Sequence, residues 1–266
     1  MKKLLIQGIL IIVLFLSVWM ALTEIDWMSL FKVEQISNKT DEKLGDLFWD
    51  LFKQSDKEIT DKDVTVSVDS ILSRICTSND INKYEVKLHI VKNEEVNAFA
   101  LPGNHLILFT GLILDSQNES ELAGVISHEI AHMRMNHVSK KLVKEVGLSA
   151  IISMTSGNTG SEIMKETIKL LSSAAYDRNL EKEADLKAID YLINSQISPK
   201  PFANFLARLA DTESALETNL SWVSTHPDSK ERAEYILSYC MGRSDTQRPV
   251  LSPATWEKVK KSISGK

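Results

Sequence analysis

Residues 125–137 read VISHEIAHMRMNH, with His128 and His132 four positions apart and Glu129 directly after the first. On a helix, positions i and i+4 share one face a turn apart. A helix here therefore lets two imidazoles aim ring nitrogens at one ion. The segment supports it: Leu122, Val125, Ile126, Ile130 and Met133 repeat at helical spacing. Ser116 with Glu119, or Asn118 with Glu121, offers a capping box at its start. The pattern predicts a helix running to about Val146. Zinc accepts imidazole nitrogen at roughly 2.0–2.1 Å, which rings on successive turns can satisfy. Glu129 is rotated away from both rings, so it is free to hold a water beside the metal and take its proton. The plain alternative is two histidines and a glutamate on a solvated face.

A catalytic zinc needs a third protein ligand. Downstream, YDRNLEKEADLKAIDYL places Glu181 and Asp185 again at i and i+4 on a predicted helix. Glu181 can supply the third ligand. Asp185, a turn on, can accept a hydrogen bond from a ligand histidine and fix its tautomer. Glu183 is a rival to Glu181 but points off that face. Taken alone, these acids read equally as a charged, exposed helix.

The rest of the chain predicts an α+β fold. Residues 64–75 repeat at helical spacing, with Thr60 and Asp63 marking a start. YEVKLHIV, residues 84–91, alternates and reads as a half-buried strand. VNAFAL and HLILFTGLI flank Pro102–Gly103–Asn104, a type II turn signal, so they form a hairpin. After the histidine helix come a loop at 156–161, a helix at about 162–194, a helix opened by Pro199 and Pro201, and a loop through His226 into a last main helix. DLFWDLF, residues 46–52, is an amphipathic helix that packs on the domain or on a membrane surface. The domain itself is expected over 64–240, with a linker at 27–63 and a polar tail at 241–266 that holds one short helical stretch.

Residues 1–26 stand apart. Residues 4–22 carry no charge and as a helix would span ~28 Å, close to the hydrocarbon thickness of a bilayer. Lys2 and Lys3 precede them and Glu24 and Asp26 follow, which leaves the body outside the cytoplasm. An uncleaved signal-anchor is favoured over a cleaved signal peptide, because Trp19 spoils the small-x-small cleavage pattern. A net charge of −5 excludes a general nucleic-acid binder. Cys76 and Cys240 could pair in an oxidising compartment or stay as separate buried thiols.

Four motifs in order, NAFALPGNHLILFTGLI, HEIAH, RNLEKEAD and STHPDSKERAEYI, resemble the M48 family of zinc metallopeptidases. Within it, the resemblance is to the single-anchor bacterial and mitochondrial inner-membrane branch, and it covers residues 64–240. It implies a zincin-like gluzincin domain, mostly helical, with a small antiparallel-edged sheet over the active-site helix. It also implies one zinc ion per chain, held by His128, His132 and Glu181, with Glu129 catalytic and Asp185 behind a ligand. Glu181 fits the family's Glu-x-x-x-Asp pattern, which favours it over Glu183. This sequence departs at Asn104, Asp177 and Ala188, where the family often has Gly, Ser and Gly, and those changes touch no ligand.

The resemblance gives the hairpin a role: Asn97, Ala98 and Phe99 form an edge strand able to add a polypeptide substrate through backbone hydrogen bonds. A packed strand is the alternative. His226 is a candidate oxyanion stabiliser, a reversible zinc plug, or a structural loop residue. Arg232 could pair with a carboxylate near the site or stabilise charge there. His89, His105 and His137 read as structural. The expectation is a zinc metalloendopeptidase tethered to the bilayer through residues 4–22. Its catalytic domain lies on the periplasmic side of a bacterial inner membrane and acts in quality control of misfolded or misassembled envelope proteins. A non-cutting holdase is the rival class.

Overall fold

The computed structural model describes residues 7–8, 10–17, 19, 38–157, 159–213, 221–241 and 247–265. Met1–Ser37 and Asn38–Lys266 are separate units. In the first, residues 10–17 are helical and exposed. Residues 4–6, 9, 18 and 20–22 of the expected span, with Lys2, Lys3, Glu24 and Asp26, lie outside the described residues. Among the described residues no helix is long and apolar enough to cross a membrane.

The second unit opens with α1 (Asn38–Phe52), which buries Leu44, Phe48 and Trp49. Its polar side grips the hairpin, since Gly103 N–H donates to Asp41 Oδ2 at 2.8 Å. The DLFWDLF stretch thus packs on the domain. α2 (Lys62–Ser78) follows, capped by Asp61, whose carboxylate accepts from the backbone of Asp63 and Val64. The cap falls one residue after the expected Thr60, because the Asp61 carboxylate accepts two of the orphan N–H groups.

β1 (Lys87–Val91), β2 (Ala98–Leu101) and β3 (His105–Phe109) form a mixed sheet in the order β1-β3-β2. β1 runs parallel to β3 and β2 antiparallel to it. The hairpin turn is the expected Pro102–Asn104, with Gly103 at φ +66° as a type II turn requires. β1 is shorter than its alternating pattern. Asn82 accepts from Tyr84 N–H and winds Lys83–Glu85 into a 3-10 turn, a local side-chain bond that competes with the ladder. β3 likewise stops at Phe109. Thr110 Oγ1 donates to Asn93 O and accepts from Asn93 N–H, and the chain turns into α3 (Thr110–Asp115).

α4 (Glu119–Arg134) carries the histidine pair. Asn118 caps it, accepting from Ser120 and Glu121, whereas Ser116 donates back to Leu112 O. The expected run to Val146 is broken: Asn136 is left-handed at φ +57°, and α5 (His137–Val146) leaves on a new axis. Next come α6 (Leu148–Thr155) and α7 (Ser161–Ser173). The helix expected over 162–194 is also two. α7 ends at Ser173 and α8 (Arg178–Asn194) begins after a turn in which Tyr176 N–H donates to Thr225 O.

α9 (Lys200–Glu213), α10 (Ser221–Thr225) and α11 (Ser229–Cys240) complete the core. α9 crosses α4 so closely that a Cβ on Gly124 would lie 2.4 Å from the Phe202 side chain. α12 (Pro253–Ser264), in the polar tail, buries Trp256 and Val259 against the body. Cys76 is buried in α2 and Cys240 half-buried at the end of α11, and no disulfide joins them.

Candidate metal centre

α4 presents His128, Glu129 and His132; α8 crosses it with Glu181 and Asp185; the turn after α10 adds His226, and α11 adds Arg232. All seven are essentially buried, none more than 2% exposed. One ligand atom each from His128, His132, Glu181 and His226 falls within 4.8 Å of all the others. His128 Nε2 and His132 Nε2 are 2.9 Å apart. Glu181 Oε1 stands 3.2 Å from His132 Nε2 and 3.0 Å from His226 Nδ1. His226 Nδ1 stands 3.2 Å from His128 Nε2.

The outer contacts decide which ring nitrogens carry protons. His128 Nδ1 lies 2.8 Å from Asp185 Oδ1, close enough for the carboxylate to keep the ring proton on Nδ1 and turn Nε2 inward. On the other ring, His132 Nδ1 lies 3.0 Å from His137 Nδ1, and His137 Nε2 lies 3.4 Å from Glu183 Oε2. With Glu183 favouring a proton on His137 Nε2, His137 Nδ1 can accept from His132 Nδ1–H, which again turns an Nε2 lone pair inward. Two ring nitrogens 2.9 Å apart with a carboxylate beside them need one positive charge between them, either a proton or a metal ion. The donor set, two or three imidazoles and one carboxylate, suits a borderline divalent transition metal.

The electrostatics agree. Burial works against a charged His128, but Glu181 and then Asp185 outweigh it and hold its pKa up at about 9. His132 is pushed down to about 4, first by burial and then by the charge on His128. One positive charge is therefore favoured at this point, and a second proton is refused. Burial also opposes ionisation of Glu181, yet His226, Arg232 and His128 hold its carboxyl well below the usual range.

Arg232 is the hub behind the acids. Its Nε and Nη2 donate to the two Asp185 oxygens, each at 2.8 Å, and Nη1 donates to His226 O at 3.1 Å. The same Nη1 lies 2.7 Å from Glu181 Oε2. Tyr235 adds a short hydrogen bond to Asp185 Oδ2. Glu129 faces the other way. Its Oε1 accepts from Trp222 Nε1 at 3.4 Å and lies 3.3 Å from His226 Nε2, while its Oε2 has no hydrogen-bond partner. Burial raises the Glu129 pKa, but His226, His128 and His132 together outweigh this and keep the carboxyl below its ordinary value.

Ala98 and Phe99 lie in β2, the outer strand of the sheet, with Asn97 just before it, yet none of the three is more than 3% exposed. Trp222 N–H donates to Val96 O at 3.1 Å, so α10 is pinned beside that edge. Five further contributors escaped the sequence reading. Tyr176 stacks on His132 with centroids 4.0 Å apart, and Lys141 Nζ sits 4.1 Å over the Tyr176 ring. Trp222 stacks on His226 at 4.4 Å. Tyr235 and His137 are the others. His137, read as structural, touches a cluster histidine directly. Its place five residues after His132 was the one available signal.

A buried His-Glu-x-x-His helix, crossed by a second helix bearing Glu and Asp a turn apart, is the architecture of a helical metallopeptidase. The chain belongs to peptidase family M48, whose model matches residues 63–239. Similar proteins include the beta-barrel assembly-enhancing protease of Yersinia pestis, 26% identical over 77% of this chain and 44% of that protein. Mitochondrial metalloendopeptidase OMA1 of Schizosaccharomyces pombe is 25% identical over 65% of this chain and 52% of its own. Metalloprotease LoiP of Escherichia coli is 29% identical over 59% and 64%. The chain thus spans about half the length of the first two of these relatives.

Proposed function

We propose that this chain is a zinc metalloendopeptidase, tethered by residues 4–22, that cleaves misfolded or misassembled envelope proteins. The observation that carries the reading is the convergence of His128 Nε2, His132 Nε2 and Glu181 on one point, with the Glu129 carboxylate beside it. His128, His132 and Glu181 would hold the ion. Asp185 and His137 orient the two rings, and Arg232 fixes Asp185 and Glu181. Zinc, when bound, supplies a Lewis acid that polarises the scissile carbonyl and acidifies water. Glu129 takes the proton of the attacking water and returns it to the leaving amine; its unpartnered Oε2 is the atom free to do so. No covalent acyl intermediate is needed.

His226 completes a fourfold donor set, and a catalytic zinc needs an open position. Of its possible roles, the contacts favour the plug: Nδ1 lies among the ligand atoms and Nε2 against Glu129. The segment that carries it is also tied, through Trp222 N–H, to Val96 O just before β2. Activity therefore requires the 221–228 stretch to move, after which the β2 edge can take a substrate strand.

The uncharged 4–22 run behind Lys2 and Lys3 supports a single-pass anchor with the body on the periplasmic side of a bacterial inner membrane. The relatives named for β-barrel assembly and for mitochondria fit a membrane-associated role. The deciding experiment compares zinc content and degradation of an unfolded protein for wild type and Glu129→Gln. The variant should keep its zinc and lose about 10²-fold or more of its activity. Equal activity would sink the mechanism.

A further inference from the structure

A second concavity lies outside the buried cluster. It is a groove of about 920 Å³ between the end of α1, the segment leading into β2, α7 and α10. Leu51, Phe52, Phe109 and Ile168 give it an apolar wall. Phe52 stacks on Phe109 with centroids 6.2 Å apart and meets Phe99 edge-on at 5.8 Å.

Asn97 borders this groove, is only 2% exposed, and leaves its Oδ1 without a hydrogen-bond partner. A buried amide oxygen with no donor is costly, so a donor from outside the chain would be welcome there. The position is telling in a second way. Phe109 N–H donates to Asn97 O, so by alternation Val96, Ala98 and Ala100 turn their backbone groups outward. Trp222 N–H takes the first of these acceptors, Val96 O. Beside it, Ser221 Oγ hydrogen-bonds to Glu95 Oε2.

α10 therefore separates two sites. Trp222, and His226 just beyond the helix, reach the metal centre, while Ser221 and Ser224 border the groove. The rim is charged on both sides, Lys165 and Lys169 from α7 against Asp56 and Glu95. A balanced rim suits a polypeptide backbone, which has dipoles and no net charge. An anionic lipid would meet the two acids, and an acyl chain would leave Asn97 Oδ1 unsatisfied.

We propose that this groove binds an extended polypeptide segment bearing a large apolar side chain, and that binding against α10 draws His226 off the metal centre. The shift of α10 opens Asn97 Oδ1, which is sealed while α10 is in place, to a backbone N–H of the segment, whose side chain packs on Phe52, Phe109 and Ile168. Exposed apolar side chains are what an unfolded protein shows and a folded one hides, so the groove would couple opening of the site to misfolding. The coupling rests on the peptidase reading, but binding is measured apart from cleavage.

The test uses the full chain in nanodiscs, zinc-loaded, carrying Glu129→Gln. The probe is a fluorescein-labelled decapeptide of Ser and Gly with a central Phe, compared by anisotropy with the same peptide carrying Ser at that place. The Phe peptide should bind about tenfold tighter or more. Phe52→Ser removes part of the wall, and Ser172→Trp fills the groove from a half-buried position without touching the core. Each should weaken the Phe peptide about tenfold. Equal affinity for the two peptides, or no response to both substitutions, overturns the groove. The Phe peptide should also speed the stripping of zinc by EDTA severalfold; an unchanged rate overturns the coupling to His226. If the peptide binds as described while wild type cleaves nothing, the groove stands and the peptidase reading falls.

Discussion

His132 Nδ1 lies 3.0 Å from His137 Nδ1, and the far nitrogen of His137 lies 3.4 Å from Glu183. This relay does for His132 what Asp185 does for His128. It holds a proton on the outer nitrogen so that the inner one can bind a cation. His137→Phe keeps the ring volume and loses the acceptor, so it should lower zinc affinity by about 10- to 100-fold. His137→Gln, which keeps a carbonyl acceptor, should recover part of the loss. Chelator competition measures both. Unchanged zinc affinity in His137→Phe would reduce the residue to packing.

Glu181 and Glu183 make the matching comparison. Glu181 is 2% exposed and within 3.2 Å of two cluster nitrogens, whereas the Glu183 side chain is half exposed at the end of the relay. Glu181→Ala should leave the protein with little zinc. Glu183→Ala should cost far less, through a looser His137. Metal content after dialysis checks this, and the reverse order would reassign the ligand.

The part of this centre that could be read from sequence is the part written in helical spacing. His128 and His132, and Glu181 and Asp185, are i and i+4 pairs, and such pairs fix a face before any fold is known. Tyr176, Trp222 and Lys141 come from a turn and two other helices, and nothing in their spacing points at the histidines; only the packing brings them there. The boundaries failed for a similar reason. Asn136 sits in a polar stretch where a helical and a left-handed asparagine look alike, so α4 and α5 read as one helix. The hairpin was legible because Pro102–Gly103 punctuates it. The parallel partnership of β1 with β3 was not, since alternation shows which face a strand buries and not which strand lies beside it.

Removal of His226 separates its roles. As a plug it blocks the site, so His226→Ala should raise degradation of an unfolded protein while His128, His132 and Glu181 still hold zinc. As an oxyanion stabiliser it would be missed, and the rate would fall by about 10²-fold. Initial rates at saturating substrate, with zinc measured on the same samples, decide between them.

Arg232 carries two buried acids, pairing bidentately with Asp185 and lying 2.7 Å from Glu181. Arg232→Met leaves both carboxylates without their guanidinium, with His128 the remaining cation beside them. Breaking a buried pair from one side costs about 3–5 kcal/mol, and metal-free protein should lose stability on that scale. Zinc restores positive charge beside Glu181 but not beside Asp185, so loaded protein should lose less. Arg232→Lys should fail nearly as badly, because one ammonium cannot replace a planar fork. Thermal melts with and without zinc measure the difference, and equal losses in the two states would disprove the shared role.

A second histidine pair makes the body sensitive to acid. His105 is 1% exposed; its Nδ1 lies 3.1 Å from His89 Nε2, and its Nε2 lies 3.1 Å from Asp46 of α1 and 3.3 Å from Lys87 Nζ. Glu58 closes the far end on His89 Nδ1 at 3.0 Å, and Trp49 stacks on the His89 ring. Burial, then the Lys87 charge and then His89, push the His105 pKa from its ordinary 6.5 down to about 4, and Asp46 only partly offsets them. The sign follows from linkage. Between pH 6.5 and about 4 the unfolded chain binds a proton that the folded chain refuses, so stability falls as pH falls through that window and is complete above it. The slope at full difference is about 1.4 kcal/mol per pH unit. His105→Gln should flatten this loss relative to wild type when both are melted metal-free, so that the cluster histidines contribute equally. Parallel pH profiles for the two proteins would show that the His105 proton is not what acid acts on.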